Sequence, residues 1–161
     1  MKILVVSDTH RKDDNLKRVL SEDWPLDMLI HLGDAEGSEH FIPDWVNPEC
    51  RMEMVLGNND FFSRLDRERE IDIAGHKAFI THGHYYGVSM GPEGLADEAK
   101  IRGCDIAMYG HTHRPFLDVI DGVTVLNPGS LSYPRQEGRR PSYMIINVGA
   151  DGKLDYQQKY L

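Results

Sequence analysis

The sequence predicts an α/β fold in which two sheets pack together with helices outside. Three observations carry that expectation. Short apolar runs recur at strand length, helix-like segments alternate with them, and the last third places Asp-Gly turns between β-rich runs. ILVV (3–6) follows Met1-Lys2 directly and reads as the opening strand. DDNLKRVLSE (13–22) then puts Leu16, Val19 and Leu20 on one helical face. MLIHL (28–32), MEMVL (52–56), KAFIT (77–81) and DIAMY (105–109) are too short for full helices and read as strands. Between the last two, PEGLADEAKIRG (92–103) groups Leu95, Ala96, Ala99 and Ile101, with Gly103 as its stop. Strand–helix–strand alternation predicts a partly parallel sheet. FLDVI-DG-VTVLN (116–127) predicts a hairpin, and SYMIINV (142–148) and KLDYQQKY (153–160) flank a second Asp-Gly. This end is expected to be antiparallel and to form or join a second sheet. With no internal repeat, low-complexity segment or long linker, residues 1–161 read as a single domain.

Composition narrows the function classes. The chain has 161 residues, an apolar fraction of 40% and a charged fraction of 27%, ordinary for a globular protein with one substantial core. Its net charge of −8 argues against a generic basic surface for nucleic acid, while leaving room for a local positive site made by metal ions. No apolar run reaches the roughly 18 residues of a membrane span, and the N-terminus lacks a signal-peptide pattern. Cys50 and Cys104 stand apart, which excludes a thiolate zinc site. These features predict a cytoplasmic protein without membrane association.

The polar residues fall where the strands end. ILVV runs into Asp8 and His10, MLIHL into Gly33-Asp34, MEMVL into Gly57-Asn58-Asn59-Asp60, KAFIT into His82-Gly83-His84, and DIAMY into Gly110-His111-Thr112-His113. Each has a plain alternative. Asp8 and Thr9 suit a turn or helix cap, Gly33-Asp34 and GNND suit turns, and His82 and His84 suit an exposed loop. Two imidazoles spaced as in GHTH are harder to assign to packing. Ligands of open α/β sheets bind beyond the carboxyl ends of the strands, so parallel strands would bring all five sets to one rim. Gly33, Gly57 and Gly110 each precede a candidate ligand and would allow close approach to an ion. Oxygen and nitrogen donors without sulfur suit Mn, Fe, Co, Ni or Zn. They are too many for one tetrahedral ion and enough for two, with Asp34 the natural bridge. Two divalent ions against Asp8, Asp34 and a bridging hydroxide leave roughly +1, a centre suited to phosphate-ester hydrolysis.

At these residues the chain resembles the calcineurin-like metallophosphoesterase superfamily. The likeness runs in order from DTH through GD, GNND, THGH and GHTH to NPGS (127–130). THGH, NPGS and the short length are most similar to its small bacterial and archaeal phosphodiesterase branch. The resemblance implies a four-layer α/β/β/α sandwich of two mixed sheets flanked by helices. It implies that Asp8, His10 and His113 hold one metal, that Asn58, His82 and His111 hold the other, and that Asp34 bridges them. Two divalent ions are implied, manganese foremost, with nickel, cobalt, zinc, iron or magnesium as alternatives. In-line attack by a bridging hydroxide on a small phosphodiester follows. Dimers are common among similar proteins, which leaves the oligomeric state open between a monomer and a homodimer.

One position departs from the pattern. Many members carry histidine after the asparagine ligand, where this chain has Asn59, which cannot act as an acid at neutral pH. His84 either supplies the missing proton or belongs to the outer shell. The expected catalytic set is therefore Asp34, Asn58 and His84, with Asn59 and His84 at the substrate. Asp60 is expected to be structural, Asn127 and Ser130 to buttress the rim, and Arg135 to be either a phosphate contact or a solvated loop residue. His31, His40 and His76 match no motif position.

Rival metal folds fit less well. The HxHxDH, HExxH and P-loop patterns are absent, and a TIM barrel needs about 200 residues. The alternative from another class is a protein-binding scaffold of the same fold, as in a retromer subunit. Competent donors at all seven proposed metal positions favour the enzyme.

Overall fold

Alternation along the first strand, β1 (Lys2–Val6), sets the layers: Ile3 and Val5 face one buried cluster and Leu4 and Val6 face another. The computed structural model describes residues 1–22 and 25–161. Beside β1 lie β2 (Met28–His31) and β3 (Arg51–Met54), all three parallel. On the other side of β1, β9 (Ser142–Val148) and β10 (Leu154–Tyr160) add antiparallel strands, giving the order β10-β9-β1-β2-β3.

The second sheet has the order β4-β5-β6-β8-β7. Its centre is the parallel set β5 (His76–Thr81), β6 (Ile106–Met108) and β8 (Val123–Pro128). Its edges are the antiparallel strands β4 (Glu68–Ile73) and β7 (Pro115–Ile120). Inner-face residues of both sheets, including Ile3, Val5, Ile30, Ile80, Met108, Leu126 and Ile146, form the central core. Outside the first sheet, α1 (Asp14–Leu20) buries Leu16 and Val19 against Leu4, Val6 and Leu29. Outside the second, α2 (Glu93–Ile101) buries Leu95, Ala96 and Ala99 against Phe79, Ala107 and Val125. The result is the expected α/β/β/α order. Each large apolar side chain buried this way contributes about 1.5–3 kcal/mol relative to its exposed state.

Three features differ from the sequence reading. Ile101, grouped with Leu95, Ala96 and Ala99, is exposed at the end of α2 instead of joining their buried face. The segment EREIDI forms β4, which was not expected: four of its six residues are charged and only Ile71 and Ile73 are buried in the sheet core. The C-terminal strands do not stay together either. The β7–β8 hairpin turns through Asp121 and Gly122, at φ 49° and 85°, and completes the second sheet. The chain then crosses over residues 129–141 to place β9 and β10 in the first. That crossing ties the sheets together beside the rim where β1, β2 and β3 end.

Candidate metal centre

Backbone torsions single out the rim. Asp8, His10, Asp34, His111 and His113 all adopt positive φ, between 46° and 66°, among ten such non-glycine residues described. Each such residue costs of order 1–3 kcal/mol and persists only where its surroundings enforce it. Here the enforcement is visible. Asp8 N–H donates to Gly33 O at 3.0 Å and His10 N–H to Asp34 O at 2.9 Å, lacing the loop after β1 to the loop after β2. Asp60 accepts from the N–H groups of Asp34, Gly57 and Glu36 at 2.8, 2.7 and 2.6 Å, which joins the loops after β2 and β3. Ser130 Oγ donates to Asp8 O at 2.8 Å, and Asn127 Nδ2 donates to Gly110 O at 2.8 Å. Asp60, Asn127 and Ser130 thus brace the rim, as the sequence led one to expect.

Close approach requires glycine at two points. A Cβ on Gly57 would fall 2.1 Å from Asp34 Oδ1, and one on Gly110 would fall 2.0 Å from Ser7 Oγ and 2.9 Å from Asp8 Oδ2. No other residue fits without moving a carboxylate or its neighbour.

The seven donor side chains named from the sequence meet here. His113 Nε2 lies 3.1 Å from Asp8 Oδ1, and His10 Nε2 lies 3.8 Å from that atom and 3.3 Å from His113 Nε2. On the other side, Asn58 Oδ1 lies 3.0 Å from His82 Nε2 and 2.9 Å from His111 Nδ1. Asp34 Oδ2 sits between the groups, 3.4 Å from His82 Nε2 and 3.8 Å from His10 Nε2. Asp8 reaches across as well, 3.9 Å from His82 Nε2. Asp8–His10–His113 and Asp8–Asp34–His82 are each close enough to share an ion.

Hydrogen bonds fix the tautomers. His82 Nδ1 donates to Leu32 O at 2.6 Å, His113 Nδ1 to Tyr133 O at 2.7 Å, and His10 Nδ1 to Glu36 Oε1 at 2.6 Å. With Nδ1 donating, Nε2 is the nitrogen that each ring turns toward carboxylate oxygens, an arrangement that a cation between them would satisfy. Asp8 Oδ1, fully buried, accepts no hydrogen bond among the described residues. Burial raises the pKa of Asp8 and of Asp34, but neighbouring histidines and, for Asp34, the Asn59 donors outweigh it and hold both lowered. Burial opposes charging His82, yet Asp34 and Asp8 raise its pKa. The field that draws a proton to that nitrogen equally draws a metal cation. The donor set, the orphaned oxygen and the oriented Nε2 nitrogens all fit divalent metal ions.

The remaining candidates occupy distinct places. Asn59 donates to both Asp34 oxygens, from N–H at 2.8 Å and from Nδ2 at 2.7 Å, and also lines a cavity of about 440 Å³ with Arg11 and Phe62. The His84 ring lies 5.5 Å from His82 and 6.0 Å from His111, with Nδ1 buried and unpartnered. Burial, followed by the fields of His82 and His111, lowers its pKa. Buried His31 accepts from Gly33 N–H at Nδ1 and donates from Nε2 to Thr9 Oγ1, a structural role behind the rim. His40 is exposed, and His76 bonds Asp105 far from the centre. Sequence reasoning missed Glu36, whose only signal was its place two residues after Asp34. It also missed the Leu32 and Tyr133 carbonyls, which carry no side-chain signal at all.

Known proteins share this architecture. The chain is 32% identical over 145 residues to the phosphodiesterase MJ0936 of Methanocaldococcus jannaschii, covering 80% of this chain and 83% of the relative. A conserved Streptococcus pneumoniae protein described as a predicted phosphoesterase superposes with a TM-score of 0.79 at 23% identity, covering 99% of this chain and 97% of the other. Zinc-bound Vps29 from Entamoeba histolytica superposes with a TM-score of 0.75 at 22% identity, covering 99% of each chain. Both structural likenesses concern the fold alone. The calcineurin-like phosphoesterase superfamily domain matches residues 1–151, and the chain belongs to that superfamily.

Proposed function

We propose that residues 1–161 work as one cytoplasmic metallophosphoesterase domain that hydrolyses a small phosphodiester with two divalent ions, manganese foremost. The observation that carries this reading is the orphaned Asp8 Oδ1 facing three imidazole nitrogens, with Asp34 Oδ2 between the two halves of the cluster. Asp8, His10 and His113 would hold one ion, Asn58, His82 and His111 the other, and Asp34 both. Ions bound there supply positive charge to the phosphoryl oxygens and lower the pKa of an attacking water. The chain's own residues set the geometry. Asn59 fixes both oxygens of Asp34, and Glu36, Leu32 and Tyr133 hold the imidazoles in their tautomers. Asn59 also borders the cavity on its side, where it would contact the substrate.

His84, its pKa lowered, is neutral near pH 7 and suits hydrogen-bond donation to a phosphoryl oxygen better than storage of a proton. Because the fold also serves as Vps29, and that protein is seen with zinc, metal binding alone does not separate enzyme from scaffold. Turnover does. Manganese-dependent hydrolysis of bis-p-nitrophenyl phosphate is expected, with Asp34→Asn lowering kcat/KM by about 10³-fold or more. His84→Ala is expected to slow aryl and alkyl diesters equally, as loss of a phosphoryl contact would. A larger loss on the alkyl ester would make His84 the leaving-group acid. No turnover with any divalent metal would favour the scaffold.

A further inference from the structure

Beside the His10 and His113 end of the centre lies a cavity of about 730 Å³ whose lining includes Arg114, Tyr133, Arg135 and Arg139. All three arginines are exposed. Their guanidinium groups make no hydrogen bond or ion pair among the described residues, whereas Arg51, Arg69 and Arg102 all engage carboxylates. Three lone guanidinium groups gathered around one cavity make a local excess of positive charge on a chain with 26 acidic and 18 basic residues. Among the described residues the one carboxylate that lines the cavity, Glu36, is committed to His10 Nδ1. The cavity is therefore positive on a protein of net charge −8.

Position matters as much as charge. Arg114 follows His113 directly, and Arg135 N–H donates to His113 O at 3.0 Å, so both are fixed to the metal-facing loop. Arg114 and Arg135 also border a neighbouring cavity of about 490 Å³ with Val88, Met90 and Phe116, which has room for an uncharged organic portion. The phosphate under attack is already served by the metal cluster and His84. Three further cations a short distance away are in excess of that need.

Resting on the phosphodiesterase reading, the geometry points to a subsite for a second phosphate: the preferred substrates are phosphodiesters that carry an additional phosphoryl group, gripped by Arg114, Arg135 and Arg139. Guanidinium forks match phosphate oxygens in pairs, and charge-assisted bonds of this kind are the strong ones.

The test compares p-nitrophenyl esters of thymidine 5′-phosphate with and without a 3′-phosphate, which share a leaving group. The 3′-phosphorylated ester is expected to have a kcat/KM higher by about tenfold or more, and R114Q/R135Q/R139Q is expected to bring the ratio to about one. Calorimetry of thymidine 3′,5′-bisphosphate with EDTA-treated protein reads the subsite without turnover. Affinity should fall about tenfold in the triple variant and in R139Q to a smaller degree. Equal kcat/KM values in the wild type, a preference kept by the triple variant, or bisphosphate binding that is absent or unchanged would overturn the subsite. If neither ester turns over, the phosphodiesterase reading fails, while the calorimetry still decides whether the arginines bind phosphate.

Discussion

Gly57 shows how a single residue can control the centre without touching an ion. Its missing Cβ leaves the space in which Asp34 Oδ1 lies, and its N–H is one of the donors that hold Asp60. Asp34 then receives both Asn59 donors and stands between His10 and His82. A methyl group at Gly57 must push Asp34 away, because the nearest atoms include Asp34 N at 2.3 Å, which is backbone rather than a flexible tip. Gly57→Ala is therefore expected to cost about 1–3 kcal/mol in urea unfolding and to weaken metal affinity at least tenfold. A variant that binds manganese like the wild type would show that the loop absorbs the methyl, and would remove the packing argument for this glycine.

At the scale of elements, the sandwich is closed along one side by two edge strands, β3 and β4. Glu53 of β3 is buried and faces inward, where its carboxylate meets Arg51 of its own strand and Arg69 of β4. Arg51 Nη1 also donates to Asp72 O of β4 at 3.1 Å. Both arginines are nearly half exposed, so removing the two partners has unequal consequences. Glu53→Gln leaves two solvated cations and should cost about 1 kcal/mol. Arg51→Ala with Arg69→Ala leaves a buried carboxylate unpaired and should cost about 3 kcal/mol or more. Equal losses in denaturant titrations would mean that Glu53 is not desolvated as its burial implies.

This edge also explains what the sequence did and did not reveal. Core strands were legible because both faces are apolar, as in ILVV, and the donors at their ends were legible as side chains. The strand β4 was hidden because its charges pair across the sandwich edge and with partners in β5 and just after α2, such as Lys77 to Glu70 and Arg102 to Glu68. Its turn to β5, Ala74-Gly75 at φ 53° and 90°, lacks the Asn or Asp that announces such hairpins. Likewise, GNND and GHTH announced the ligands, whereas the carbonyls orienting His82 and His113 belong to backbone that meets them only in the folded chain. Arg114, Arg135 and Arg139 lie in polar loops, and only the fold shows that they share one cavity.

Across the whole molecule, the donor set is divided between the sheets. Asp8, His10, Asp34 and Asn58 come from loops after strands of the first sheet, and His82, His111 and His113 from loops after strands of the second. Ions held by both groups would cross-link the layers at the rim, as the central core does below. They would also compensate Asp8 and Asp34, which burial would otherwise penalise. Unfolding scatters the donors over more than 100 residues, so the ions bind the native state far better than the unfolded chain. Each manganese ion at 100 times its Kd should then add about 2.7 kcal/mol. For a chain of this size each kcal/mol raises Tm by about 2–4 °C, so a rise on the order of 5–10 °C per bound ion is expected over EDTA-treated protein. Asp8→Asn should lose most of that rise, since Asp8 Oδ1 faces both halves of the cluster. The same Tm with and without manganese would mean that the sheets are not linked through metal, and the division of donors between them would need another reason.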